Sequence, residues 1–276
     1  MIVRLLLLAA VAGVLAGCST APAKPVNELL RDKQTAQETA LAEYQDLNWK
    51  AAARNFQKTA DILNALDDYA GEAAARHNQA RALQHDGQHE AAITAYQRAL
   101  AINRRLKRPQ DEAMNLAGLA QCYQAQGRLA SAIEAAEQAL PMAPTNPPTT
   151  RVIIQNDLAA LLLERNQPGD ADRARQLLDT ALAADPKSAV TQLNLGRAAL
   201  VAGQPAEARP RLMQALEGFR AEMNPAGVAA AHELLARCCA ALGDRDAARF
   251  HLEQARQKYT FLKNTAALKR LASIQP

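Results

Sequence analysis

Histidine and cysteine side chains can bind metal ions or act as nucleophiles, and the chain contains five histidines and four cysteines. His85 and His89 are four residues apart, the spacing that places two ligands on one face of a helix. Gly87 lies between them, and a glycine at this point predicts the end of one helix before the next begins. The two imidazoles are therefore predicted to lie on different helices. No CxxC, HExxH, GxSxG or phosphate-binding glycine loop occurs elsewhere.

Two acidic pairs, Asp67-Asp68 and Asp111-Glu112, are the remaining candidates for acid–base catalysis. Both are predicted to stand in loops between helices, where an aspartate more often caps the helix that follows. We therefore predict that the chain is not an enzyme and that it has no cofactor and no metal site.

Cys18 has a distinct chemical setting. It follows Leu15–Gly17, and Leu5–Leu15 is an almost continuous apolar run preceded by Arg4. This segment resembles a bacterial lipoprotein signal with its lipobox, which implies that residues 1–17 are removed and that Cys18 is acylated. A plain secretory signal or a membrane anchor is the alternative, but the apolar run is shorter than the ~20 residues that a membrane span needs.

The residues after Cys18 indicate where such a lipoprotein would reside. Ser19 stands where aspartate would resemble an inner-membrane retention signal. The resemblance therefore implies the outer membrane, with a lipid anchor on the periplasmic face, if the cell is Gram-negative. Residues 18–30 are predicted to be a lipidated tether, which includes the extended segment Thr20–Pro25.

The charge balance of the chain is mildly basic. The formal net charge of +4 falls to +3 when the signal segment with Arg4 is removed. The densest basic run, Asn103–Pro109, could contact an anionic partner. It could instead be a solvated helix end, where basic side chains stabilise the negative end of the helix dipole, and we favour this interpretation. So small a net charge does not indicate a nucleic-acid partner.

The rest of the chain repeats one pattern six times. In each copy a turn position is followed five residues later by alanine, and then by further residues that suit a buried helix face. The turn positions are Leu47, Gly87, Gly127, Gly169, Gly203 and Gly243. The alanines are Ala52, Ala92, Ala132, Ala174, Ala208 and Ala248. The copies are spaced by 40, 40, 42, 34 and 40 residues, which predicts six pairs of helices.

This pattern resembles the tetratricopeptide repeat family, in which two antiparallel helices cross at small residues. Leu195-Gly196, Gly203 and Ala208 match it in the fifth copy. The resemblance implies an all-α fold, a right-handed superhelical solenoid of about six helix-turn-helix repeats with about 12–14 helices. The low aromatic content of 4% agrees with a core of alanine and leucine.

The solenoid is predicted to span residues 31–274. The repeats are predicted at about residues 31–66, 73–108, 113–144, 155–187, 189–222 and 229–260, followed by a capping helix within Leu262–Leu271. Pro141–Pro148 contains four prolines and cannot be helical. This segment is either a hinge between two halves or, as we favour, a stiff connecting loop.

The other cysteines, Cys122, Cys238 and Cys239, fall late in the first helices of repeats three and six. Two whole repeats separate Cys122 from the other two, too far for the ~6 Å between Cα atoms that a disulfide needs. A bridge between adjacent cysteines would strain a helix. All three are therefore predicted to be small buried apolar residues.

The family resemblance implies a partner-binding groove on the concave side, lined by the first helix of each repeat. The groove residues implied by position are Gln34, Gln37, Tyr44, His77, Arg81, Gln84, Gln121, Gln124, Asn156, Leu163, Asn166, Leu193, Arg197, Leu200, Glu233 and Arg237, with His85, Val190 and Val201 beside them. The amides could bind an extended peptide backbone, since they both donate and accept hydrogen bonds. The apolar residues of repeats four and five either contact a partner or belong to the core, if those helices are rotated.

These features together predict a non-catalytic scaffold or adaptor lipoprotein of the bacterial envelope. Its partner would be an envelope protein, or an extended peptide segment of one, in envelope assembly. The alternative is a carrier or receptor for a small apolar or lipidic ligand held in the solenoid.

Overall fold

The computed structural model describes residues 24–275, which consist of helices separated by short turns. The helices are α1 Val26–Gln45, α2 Trp49–Ala65, α3 Tyr69–His85, α4 His89–Arg105, α5 Pro109–Ala125, α6 Leu129–Ala139, α7 Thr149–Arg165, α8 Asp170–Ala184, α9 Ala189–Val201, α10 Pro205–Ala221, α11 Pro225–Ala241, α12 Arg245–Phe261 and α13 Thr265–Leu271. A 3₁₀ turn, Leu140–Met142, follows α6, and the described residues contain no strand. The prediction of an all-α solenoid is confirmed. Cys18 and residues 1–17 lie outside the described residues.

Helix length explains the spacing of the repeats. Eight of the helices contain 17 residues. Two such helices and two three-residue turns make a unit of 40 residues, the commonest step in the sequence. The shorter α8 and α9 account for the 34-residue step.

Several first helices begin earlier than predicted. α1, α3, α5, α7 and α11 start four to six residues before the predicted starts of their repeats, so residues 26–30 belong to α1 and not to the predicted tether. Asn224 caps α11 by accepting a hydrogen bond from the Gly227 N–H at 2.9 Å, and Pro225 takes the first helical position. Because of these capping signals, the helix begins about one turn earlier than the repeat pattern alone predicted.

The predicted turn positions adopt the left-handed conformation. The five glycines have φ between +71° and +85°, and Leu47 has φ +60°. Glycine reaches this region without steric cost, which is why it marks the turn within a repeat. The turns between repeats use the same conformation without glycine, at Asp67, Lys107, Met223 and Lys263.

The predicted alanines lie where helices cross. All six have no solvent exposure. The position four residues later is also buried, for example Tyr96, Leu178 and Leu212, so the small and large residues interdigitate. Gly118 lies against the Tyr96 ring so closely that a Cβ there would collide with it.

Ala132→Leu is expected to lower the free energy of unfolding by about 1–3 kcal/mol, because its helix crossing has no room for a larger side chain. The same holds for Ala208. Ala130 lies on the same helix as Ala132 but is exposed, so Ala130→Leu is the matched control and should change stability by less than about 0.5 kcal/mol. Urea denaturation followed by far-UV circular dichroism measures both. Equal stability of the two variants would contradict the assigned register.

The proline-rich segment connects two packed halves. Ala143 is buried in one hydrophobic cluster with Ala139, Ile154 and Leu158, which lie on both sides of the segment. The Arg151 guanidinium donates a hydrogen bond to the Ala143 carbonyl at 3.1 Å. This packing favours a connecting loop over a hinge.

The C-terminal helix α13 packs on α12 and buries Ala267 and Leu271. Its position agrees with the predicted capping helix. No helix among residues 24–275 is both long enough and apolar enough to cross a membrane.

The cysteines other than Cys18 behave as predicted. Cys122, Cys238 and Cys239 are free thiols with no solvent exposure. Burial raises the pKa of Cys122 to about 11. They therefore pack as small apolar residues.

Two arginines of the basic run form ion pairs with the acidic residues that follow it. Arg104 lies 3.6 Å from Glu112, and Arg108 lies 2.6 Å from Asp111. These contacts agree with a solvated helix end rather than a free basic patch.

The acidic pairs lie at the starts of helices. Asp68 caps α3 through the Gly71 N–H at 2.8 Å, as predicted. Asp111 and Glu112 lie in the first turn of α5 rather than in a loop before it, because α5 begins at Pro109.

The concave surface as candidate functional site

The odd-numbered helices form the inner side of the stack. From α3 to α9, each contacts the next odd-numbered helix as well as the even-numbered helices beside it. The stack therefore curves around these helices, and their outward faces line a concave surface. Such curvature is how repeat solenoids build extended binding surfaces.

A row of hydrogen-bonded side chains runs across three repeats of this surface. Gln84 donates from Nε2 to Gln121 Oε1 at 2.9 Å, and Gln121 donates from Nε2 to Asp157 Oδ2 at 2.8 Å. The Tyr96 hydroxyl donates to Gln84 Oε1 at 3.0 Å. Predicted groove residues on α3 and α5 are thus brought together, in a row that ends on α7.

Further predicted residues flank this row. Gln124 donates to Glu164 at 2.7 Å, and a hydrogen bond of 3.0 Å joins His77 Nδ1 to Asn115 Oδ1. Burial lowers the pKa of His77, although the bond to Asn115 acts in the opposite direction. His77 is therefore held neutral and oriented at physiological pH.

Aromatic rings form the end of the surface at the first two repeats. His85 stacks on Trp49 with ring centroids 4.6 Å apart, and Tyr44 meets Trp49 edge-on at 4.9 Å. The Arg81 guanidinium lies over the Tyr44 ring, 5.4 Å from its centroid. Gln34 and Gln37 on α1 are exposed beside a small cleft. His89 begins α4, so it does not share a helix with His85, as predicted.

Charged side chains dominate the other end. Arg197 is half-buried, and its burial lowers its pKa, while Glu164 and Glu233 act in the opposite direction. Arg237, which is exposed, lies 3.4 Å from Glu233. The accessible charges at this end are therefore the positive Arg197 and Arg237, with the exposed Glu164 as the negative group that acts on Arg197.

Three predicted groove residues are buried, which contradicts their assignment to a partner-binding surface. Asn156 has 3% exposure and donates hydrogen bonds to the Val152 carbonyl and to Thr191 Oγ1, both at 2.9 Å. Leu163 has 4% exposure and belongs to the central hydrophobic cluster. Glu233, with 6% exposure, is bound inside the chain instead.

Glu233 attaches the capping helix to the repeats. It accepts hydrogen bonds from the Tyr259 hydroxyl at 2.9 Å and from Arg270 of α13 at 3.1 Å. Burial alone would raise the pKa of Glu233, but these bonds outweigh it and the pKa lies below its usual value. Its role in this structure is to hold α13.

The errors on α7 have one cause. Asn166 takes the left-handed conformation and ends α7 three residues before Gly169, so this turn has four residues instead of three. Positions counted back from Gly169 were therefore assigned to the wrong face. Asp157 and Glu164 occupy the concave face of α7, and Asn166 lies in the turn.

Some of the apolar residues predicted on α9 are exposed and could contact a partner, and others belong partly to the core. Val190 and Val201 are exposed, whereas Leu193 and Leu200 are partly buried and pack against the cluster formed by α9, α10 and α11. Leu193 and Leu200 therefore belong partly to the core.

Two exposed apolar residues on the concave face, Met114 and Ile153, were not predicted. Met114 stands seven residues before Gln121, and Ile153 stands four before Asp157. Helical periodicity places Met114 on the same face of α5 as Gln121, and Ile153 on the same face of α7 as Asp157. Extending the pattern from Gln121 toward the start of its helix would have identified Met114.

No cluster of three histidine, cysteine or acidic side chains within residues 24–275 is arranged to hold a metal ion. Nothing in this part of the structure or in the comparisons below supports a carrier for a small apolar or lipidic ligand.

Comparison with known proteins agrees with the fold. A family model of the tetratricopeptide repeat matches residues 72–145 and 187–260. Among solved structures, the type IV pilus biogenesis factor PilW is 19% identical, with 83% of this chain and 94% of that chain covered and a TM-score of 0.62. PilF of Pseudomonas aeruginosa is 18% identical, with 86% and 99% covered and a TM-score of 0.59. A tetratricopeptide protein of Thermus thermophilus is 21% identical, with 73% and 98% covered and a TM-score of 0.56. Comparison with curated proteins gives no match.

Proposed function

The chain belongs to the tetratricopeptide repeat family, and we propose that it is a non-catalytic adaptor that binds an extended segment of an envelope protein along its concave surface. The observation that carries this proposal is the row formed by Gln84, Gln121 and Asp157 across three successive repeats. A binding surface that crosses repeats suits an extended ligand better than a compact one.

The row has the chemistry that a peptide backbone requires. An extended backbone presents N–H and C=O groups in alternation, and an amide side chain can pair with either. Gln84 and Gln121 are already held by Tyr96 and Asp157, so binding costs them little further side-chain entropy. The exposed Met114 and Ile153 beside the row add apolar contact area.

Gln121→Ala is expected to reduce capture of the partner segment about three- to tenfold, the loss of about one hydrogen bond. Capture is measured by quantitative mass spectrometry of pull-downs from crosslinked envelopes, with the fold of each variant checked by circular dichroism. The matched control is Gln138→Ala, an exposed glutamine on α6, which should capture as the parent does. If the two variants capture the same proteins equally, the concave surface is not the binding site.

The membrane anchor is a separate part of the proposal. It rests on the lipobox resemblance at Cys18, because structures less than 25% identical, including the pilus factors, show the fold alone. Acylated Cys18 and the tether that follows it would hold the repeats at the periplasmic face of the outer membrane. Several acyl chains bind a membrane far more firmly than one.

Cys18→Ala is expected to leave an uncleaved or mislocalised precursor, because acylation precedes removal of the signal. Mass spectrometry of the mature N-terminus and fractionation of inner and outer membranes measure the result. A variant that is processed and bound to the outer membrane like the parent would contradict the lipid anchor.

A further inference from the structure

A cleft of about 460 Å³ opens on α7 and α9, next to the end of the row described above. Val152, Ile153 and Val190 form its apolar wall, and Ile153 and Val190 are about half exposed. Asp157 and Asp185 also line it. Among the described residues that line this cleft, none is basic, so it combines an apolar wall with negative charge only.

The strongly buried carboxylates of the described chain are all paired with arginine, whereas Asp157 is only partly buried. Glu72 lies 3.7 Å from Arg76, and Asp170 accepts a hydrogen bond of 2.9 Å from Arg165. Glu112 and Glu233 are likewise paired, with Arg104 and Arg270. This pairing is expected, because a buried charge without a partner is costly.

Asp157 departs from this pattern. No basic group within residues 24–275 lies within 4.0 Å of its carboxylate, and its hydrogen bond comes from the neutral Gln121. Burial raises the pKa of Asp157, and the bond from Gln121 offsets this only in part. The Oδ1 atom has no hydrogen-bond partner in the described chain.

We propose that this cleft is a subsite for a basic side chain, lysine or arginine, of the bound segment. This inference rests on the proposed function, since it specifies one residue of the extended ligand. A lysine or arginine side chain has an aliphatic stem and a charged end. The stem would lie against Ile153 and Val190, and the charged end would reach Asp157.

The row orients the carboxylate for this role. Gln121 holds Oδ2, while the neighbouring Asn156 is hydrogen-bonded to Val152, Thr191 and Asn194 and makes no bond to this carboxylate. Oδ1 therefore remains available as an acceptor in a partly desolvated site. A charge-assisted hydrogen bond there would be about twice as strong as a neutral one.

The probe for this subsite is N-acetyl-lysine N-methylamide, titrated into the purified protein labelled at isoleucine δ1 methyl groups. Nuclear magnetic resonance should show a saturable shift of the Ile153 methyl signal, assigned with Ile153→Val. The norleucine derivative, which has a similar stem and no charge, should shift it at least about tenfold less at the same concentration. Asp157→Asn keeps an acceptor for Gln121 and removes the charge, and should abolish the lysine-dependent shift.

Three results would overturn the subsite: equal shifts with norleucine, shifts that persist in Asp157→Asn, or no saturable shift with lysine. The proposed function has its own test, the capture experiment with Gln121→Ala. A captured segment whose basic residues can all be replaced by norleucine without loss of affinity would leave the adaptor function standing and refute the subsite. A lysine-dependent shift without capture of any segment would support the subsite and refute the adaptor function.

Discussion

Leu212→Ala is expected to lower the free energy of unfolding by about 2–5 kcal/mol, because the surrounding helices can only partly collapse into the cavity. Leu212 has no solvent exposure and lies in the cluster where α9, α10 and α11 meet. Urea denaturation followed by far-UV circular dichroism measures the loss. The neighbouring Met213 is 41% exposed, so Met213→Ala is the matched control and should cost less than about 1 kcal/mol.

Gly196 gives a second, more specific test of the same contact. A Cβ added at Gly196 would lie 2.5 Å from Leu212 Cδ2 and 2.6 Å from Cγ. Gly196→Ala alone should therefore cost about 1–3 kcal/mol through overpacking, reduced by up to about 1 kcal/mol of gained helix propensity. In the Leu212→Ala background the clash is gone, so the same change should be neutral or stabilising. Additive effects of the two substitutions would contradict this contact.

The fold could be predicted from the sequence at those positions where only a few residue types fit. The left-handed turn within a repeat favours glycine, and the helix crossing admits little beyond alanine. Gly203 and Ala208 illustrate both, with φ +71° and no exposure respectively. These constraints act locally, so each copy of the repeat carries them independently.

The turns between repeats could not be read in this way. Met223 and Lys263 take left-handed conformations for which their residue types give no signal. Their backbones are set by the packing of the helices that they join. The helices on either side then fix the conformation, whatever the side chain.

The candidate site was predicted in part. The structure places Gln84, Gln121 and Gln124 on the concave face, but the partners that hold them are Asp157 and Glu164. Those two residues were missed because the early end of α7 changes which of its positions face inward. Hydrogen bonds between repeats depend on such rotations, and counting from a single glycine does not determine them.

Glu233 was misassigned for a different reason. Its position within the repeat predicts a surface residue, but the terminal helix α13 covers it and supplies Arg270. A terminal helix has no counterpart in the inner repeats. Residues beneath it therefore follow the packing of the cap and not the pattern of the repeat.

Two histidines between α11 and α12 form a buried pair with a consequence for pH dependence. His232 Nδ1 and His251 Nδ1 are 2.9 Å apart and share one hydrogen bond, so only one of these two nitrogens carries a proton. His232 has 1% exposure, and its Nε2 is buried without a hydrogen-bond partner in the described chain. Burial, with smaller contributions from His251, Lys258 and Arg220, lowers the pKa of His232 to about 4. Burial, with smaller contributions from Arg209 and Arg220, also lowers the pKa of His251, while Asp244 acts in the opposite direction.

The protein is therefore expected to lose about 2–3 kcal/mol of stability through His232 as the pH falls from 7 to about 4.5. The unfolded chain binds a proton at His232 near pH 6.5, whereas the folded chain does so only near pH 4, so acid favours unfolding within this interval. The contribution is complete above pH 6.5 and disappears as the pH falls through about 4.

Denaturant unfolding at a series of pH values measures this contribution, with His232→Asn as the comparison. Asparagine keeps a polar group near Nδ1 but does not titrate, so the variant should show a shallower loss over the same range. Parallel pH profiles for the parent and the variant would show that His232 is not the group responsible.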